Sequence, residues 1–173
     1  METTAPASLG NPVDDDTELT KLHPNYKKML RLRAALTSIP FLIGALFVEL
    51  FLVDDPSWPI PPYVVIAVVV VVALAFIIRV PSRRFAARGY QVSADRLRVV
   101  RGIWWRYDTV VPFGRVQHID VDQSPLERYF GIATMTLHTA GSHNASVQLP
   151  GLELQLANDM REEIRAHIKR ETM

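Results

Sequence analysis

The uninterrupted apolar run from Tyr63 to Ile78, set within IPPYVVIAVVVVVALAFIIRV from Ile60 to Val80, limits what this chain can fold into more than any other feature. It is too long for an ordinary buried strand and matches the hydrocarbon thickness of a bilayer. A second such run, AALTSIPFLIGALFVELFLV from Ala34 to Val53, precedes it. At about 1.5 Å per residue it makes a helix of roughly 30 Å, enough for one span. The connecting DDPSWP, Asp54 to Pro59, is polar, proline-broken and short, which predicts an antiparallel hairpin with both flanks on one side.

Basic residues choose the side. Lys21, Lys27, Lys28, Arg31 and Arg33 precede the first span, Arg79, Arg83, Arg84 and Arg88 follow the second, and the short loop has none. A basic excess marks cytoplasmic flanks, so the expectation is a multi-pass protein of the cell membrane with both termini in the cytoplasm. Trp58 and Tyr63 fall where interfacial aromatics sit. No small-residue cleavage site follows Phe51-Leu52-Val53, which argues against a removable signal peptide. Glu49 lies five residues before Asp54, within about 8 Å of the outer interface, and is expected to reach headgroups or water rather than to serve a proton path. Pro40 predicts a kink.

Three segments follow from these patterns. Residues 1–20, with Asp14-Asp15-Asp16, lack apolar periodicity and read as a disordered acidic tail. Residues 21–80 hold the two spans and the basic lead-in LHPNYKKMLRLRAAL, which either lies against the anionic inner leaflet or serves topology alone. Residues 81–173 form a separate domain of short β-type runs. Lysines and arginines number 19 against 18 acids, too balanced for a general nucleic-acid binder. The absence of cysteine excludes disulfides, thiolate catalysis and Cys-based zinc sites.

In the last segment Tyr90 to Ser93 reads as a first strand, with a turn at Ala94-Asp95. Leu97 to Arg101 and Trp104 to Val111 follow, hinged at Gly102, and Pro112 ends the ladder. In VQHIDVDQ, Gln117, Ile119 and Val121 take one face and His118, Asp120 and Asp122 the other. SPLERYFG is a connecting excursion. ATMTLHTA and ASVQLP form a hairpin around Gly141-Ser142-His143-Asn144. Leu152, Leu156, Met160, Ile164 and His167 or Ile168 then recur every three to four residues, predicting a terminal amphipathic helix that plugs a strongly bent sheet. The fold class is an α+β membrane protein, a transmembrane hairpin followed by an antiparallel β-barrel or sandwich capped by one helix.

The ordered series DRLRVVRGIWWRYDTVVPFGRVQHIDVDQSPLERYFGIATMTLHTAG, with the lead-in, the paired spans and the closing LANDMREEIRAHI, resembles the bacterial pleckstrin-homology-like (PH-like) proteins of the DUF304, or YdbS-like, type. The resemblance covers nearly the whole chain after the acidic tail. It implies a PH-like fold, a cytoplasmic placement and no established catalytic activity. It also implies a partner carrying several related domains and a role in envelope defence against membrane-active peptides. It does not imply phosphoinositide binding.

No Gly-x-Ser-x-Gly elbow or phosphate-cradling glycine loop is present, and no catalytic residue or cofactor is expected. His138 and His143 have a metal-compatible interval but lack a thiol or HExxH partner, and read as solvated hairpin histidines. The polar face of His118, Asp120 and Asp122 is an ordinary product of strand alternation, so no metal is expected there. The candidate contact residues are Arg101, Trp104, Trp105 and Arg106, because alternation should turn one large aromatic outward beside an arginine. Leu126, Tyr129 and Phe130 either anchor a neighbouring subunit or pack on the domain's own rim. The leading function is a non-enzymatic interaction module docking protein partners at the inner leaflet, as a homo-oligomer or with a partner carrying PH-like domains. The alternative is an anionic-lipid sensor using Arg83, Arg84, Arg88, Arg98, Arg101 and Arg106. A transporter or membrane-enzyme subunit would rest on Glu49 alone.

Overall fold

The computed structural model describes residues 19–51, 61, 63–140 and 146–171. The acidic tail as far as residue 18, the loop with Trp58, and the hairpin turn with His143 lie outside the described residues, whereas Thr20, expected within the disordered tail, is bridged to Tyr90. Helix α1 spans Pro24–Phe51 and α2 spans Val64–Ala86, both long and apolar enough to cross a membrane. Their apolar side chains are mostly uncovered, from Phe41 and Phe47 on α1 to Val68, Val71 and Val72 on α2. A core helix of a soluble protein would hide them, so the solvent that suits these surfaces is hydrocarbon.

The two helices run antiparallel. Ala34 and Thr37 near the start of α1 meet Phe76, Val80 and Pro81 towards the end of α2. At the opposite end the Tyr63 backbone N–H donates to Glu49 Oε1. Tyr63 is the N-cap of α2 and holds a left-handed conformation without a side-chain bond of its own. Glu49 therefore places a carboxylate at the positive end of the α2 dipole and satisfies a donor that the helix cannot. Its expected reach to headgroups or water is replaced by a contact inside the hairpin.

Strands β1 (Gly89–Val92), β2 (Arg96–Arg101) and β3 (Tyr107–Pro112) make one antiparallel sheet. β4 (Val116–Asp122), β5 (Ile132–Thr139) and β6 (Ser146–Glu153) make a second. A 3-10 turn at Phe113–Arg115 carries the chain between them and buries Phe113. The sheets form a sandwich rather than a closed barrel, for β3 and β4 are not hydrogen-bonded neighbours. Leu97, Ile132, Met135, Leu137, Leu149 and Leu152 are fully buried between them.

The excursion SPLERYFG is a helix, α3 (Pro125–Phe130). Ser124 caps it by accepting from the Glu127 N–H while Glu127 accepts from the Ser124 N–H, and Pro125 opens the first turn. The terminal helix α4 spans Leu154–Glu171. Its inward stripe is Ala157, Met160 and Ile164, with Ile168 partly covered, whereas Leu156 is exposed. Leu152 belongs to β6, so the expected stripe is shifted by one residue at its start.

The lead-in differs most from its sequence reading. Tyr26, Met29 and Leu30, on the first turns of α1, join Leu22 in the core of the β domain. Thr20 exchanges two backbone hydrogen bonds with Tyr90, and the His23 N–H donates to the Gly151 carbonyl at 2.8 Å. Asn25 Nδ2 reaches the Phe130 carbonyl at 3.0 Å. The apolar stripe finds a drier partner between the sheets than a leaflet surface offers, leaving Lys28, Arg31 and Arg33 exposed. One continuous helix thus starts in the domain core and ends at the far side of the hairpin.

Candidate membrane-facing site

Gly102 has φ +120°, and a Cβ there would stand 1.7 Å from the Trp105 carbonyl oxygen, so only glycine fits this bend. The bend ends β2, and β3 does not begin until Tyr107. Trp104 and Trp105 therefore sit in a turn, where strand alternation does not apply. Both rings point outward, at 87% and 77% exposure, instead of one turning in. The Arg101 guanidinium lies 5.9 Å from the centre of the Tyr107 ring, and Arg106 is exposed.

This tip stands beside the end of α2. A cleft of about 410 Å³ is lined by Arg84, Arg88, Ile103, Trp104, Trp105 and Tyr107. Two residues assigned to topology, Arg84 and Arg88, thus join the tryptophans, whereas Lys27, Lys28, Arg31, Arg33, Arg79 and Arg83 are not in its lining. Sequence reasoning missed the juxtaposition because no local spacing encodes it.

The second group is apart from the first. Leu126 and Phe130 pack partly on the core, which fits the rim reading, but Tyr129 is 81% exposed, its ring edge-on to Phe130 at 5.1 Å. Asn25 fastens α3 at the start of α1, roughly 14 Å of helix before the apolar run begins at Ala34.

Arg98 is withdrawn from any headgroup set. Its Nε lies 3.0 Å from Asp108 Oδ1 and its Nη2 contacts Oδ2, across β2 and β3. These bonds hold the Asp108 carboxyl below the usual carboxylate range, against partial burial, which acts the other way. A depressed folded-state pKa gives stability that is present above the unfolded value and lost as pH falls through the folded one. Over a third of the Asp108 side chain is solvated, so the pair contributes at most about 1 kcal/mol. Asp108→Asn should remove that acid step, so that the thermal-unfolding midpoint falls less than the parent chain's as pH drops through and below the ordinary carboxylate range.

His118 and His138 are register partners on β4 and β5, with Asp120 between them at 2.7 Å and 3.2 Å from their Nε2 atoms. Asp122 stays out of this group. Among the described residues no cluster of three or more ligating side chains is arranged to hold a metal ion.

Residues 38–168 match the family described as bacterial PH domain. The chain is 31% identical over 85 residues to the transmembrane protein YdbS of Bacillus subtilis (strain 168), an alignment covering 49% of this chain and 52% of that protein. The chain thus spans about half the length of this relative. No solved structure matches. With the two-sheet sandwich, the capping terminal helix and the paired helices, each long and apolar enough to cross a membrane, in agreement, this chain belongs to the bacterial PH domain family.

Proposed function

We propose that this protein is a non-enzymatic interaction module that holds a PH-like domain beneath the inner leaflet, so that another membrane protein can dock on it. The observation that carries the reading is the joint: Leu22, Tyr26, Met29 and Leu30 are core residues of the sandwich and also lead directly into the first apolar helix. A domain seated in this way is confined near a surface in a limited range of orientations. Confinement raises its effective concentration towards other membrane components, so weak contacts suffice. The basic flanks of both helices favour the cytoplasmic side.

In this orientation the tryptophan tip, beside Arg84 and Arg88 at the end of α2, faces the headgroup layer, where indole rings partition well. Tyr129 on α3, exposed near the start of α1, is the aromatic this reading assigns to a protein. The partner class is a chain carrying related PH-like domains, or a second copy of this one.

Site-specific photocrosslinking in native membranes tests the reading, with the probe at Trp105 and then at Tyr129. The expected result is lipid adducts at Trp105 and one discrete protein adduct at Tyr129. Lipid adducts at both positions would reject docking through α3 and favour the anionic-lipid sensor, a second reading supported by the arginine-lined cleft.

A further inference from the structure

We propose that the cavity between α1 and the two sheets is a phosphate site, filled by the phosphate of an anionic lipid headgroup or by a soluble phosphate. It has a volume of about 260 Å³ and is walled in part by Tyr26, Arg33, Arg88, Arg101 and Glu127. The three arginines come from three places in the fold: α1, the segment after α2, and the end of β2. The Arg88 guanidinium donates to the Tyr26 hydroxyl and lies over its ring, 5.6 Å from the centroid. Burial acts most on that hydroxyl and raises its pKa; the charges of Arg88, Arg84 and Arg33 act against burial, and the Glu127 carboxylate acts with it.

The wall sets one carboxylate, Glu127, against three guanidinium groups, so a positive excess remains. Glu127 is its acidic residue, and both carboxylate oxygens are engaged elsewhere: Oε2 accepts from the Ser124 N–H at 2.8 Å and Oε1 from the Thr134 hydroxyl at 2.6 Å. Among the described residues no carboxylate forms an ion pair with Arg33, Arg88 or Arg101. Gathering like charges around one cavity is unfavourable unless an anion joins them. Topology accounts for Arg33 and Arg88, which flank the apolar helices, but not for Arg101, which belongs to a strand of the soluble domain. Several guanidinium groups lining one cavity match the tetrahedral oxygens of a phosphate better than a single carboxylate. Arg88 also lines the cleft under the tryptophan tip, so the cavity adjoins the surface that faces the leaflet.

The inference uses the proposed placement of the domain at the leaflet but not the docking partner, so a failed crosslink at Tyr129 leaves it standing. The test uses the full chain in nanodiscs of phosphatidylcholine with a minority of phosphatidylglycerol, counting retained lipids by native mass spectrometry. A parallel arm follows thermal unfolding of delipidated protein in detergent as inorganic phosphate is added. The parent chain should retain phosphatidylglycerol preferentially, and the Arg33→Gln/Arg101→Gln variant should lose that retention about tenfold, the loss expected for a charge-assisted bond. Arg83→Gln, outside the cavity wall, should keep it. Arg101→Gln alone provides the comparison if the double variant does not fold. Stabilisation by inorganic phosphate without lipid retention, abolished in the same variants, would assign the site to a soluble phosphate. Equal lipid retention in parent and cavity variants with no phosphate effect, or an equal loss in Arg83→Gln, would overturn the proposal.

Discussion

Replacing Val68 and Val72 together with arginine should send the β domain to the opposite side of the membrane. Both valines are exposed on one face of α2, four residues apart, uncovered by the other described residues. An arginine near the centre of a span costs roughly 3 kcal/mol on insertion scales, so the pair costs about 6 kcal/mol. The second helix then fails to insert while the first still does, and an odd number of crossings places the two flanks apart. A reporter fused after Met173 that is active on only one side reads the outcome. An unchanged reporter signal in the double variant would mean that α2 does not cross the bilayer, and the hairpin reading would fall with it.

Gly151→Val should unseat the start of α1 from the sandwich. Gly151 has φ +74°, which a β-branched residue adopts only under strain, and a Cβ there would lie 2.5 Å from Cγ of the Tyr26 ring. Backbone strain and overpacking together should cost about 4 kcal/mol. The loss is directed at one joint, for the His23 N–H bonds to the carbonyl of this same glycine. Trypsin should then cut at Lys27 and Lys28 in the variant well before it cuts the parent chain. Equal cleavage rates in the two proteins would show that the ring and the glycine separate at little cost.

The hairpin was legible because the sequence changes solvent there, and the number of consecutive apolar residues is itself the signal. The strand series was legible for a similar reason, as apolar residues alternate at Leu97 and Val99 in β2 and at Ala133, Met135 and Leu137 in β5, although Val100, Ile132 and Thr136 are buried as well. Trp104 and Trp105 were misread because period two was carried past Gly102, where the backbone leaves the extended region. Helix α3 had a readable signature in Ser124-Pro125 with Glu127, but its turn-like composition outweighed the capping pattern. The lead-in could not be placed from its own residues. An amphipathic stripe reports that an apolar partner exists, and lipid and protein look alike to it. The meeting of Arg84 and Arg88 with the tryptophan tip belongs to tertiary structure and leaves no trace in local spacing.

The unbroken run of α1 from the sandwich core to the far end of the hairpin makes the protein a mechanical lever. At about 1.5 Å per residue its 28 residues extend roughly 42 Å, so a tilt of about 20° displaces one end sideways by about 14 Å. Hairpins answer a thinner bilayer by tilting, and a helix continuous with the domain core would carry the sheets with it, apart from any bend at Pro40. If both helices cross the bilayer, membrane thickness would then set the angle at which the sheets meet the leaflet.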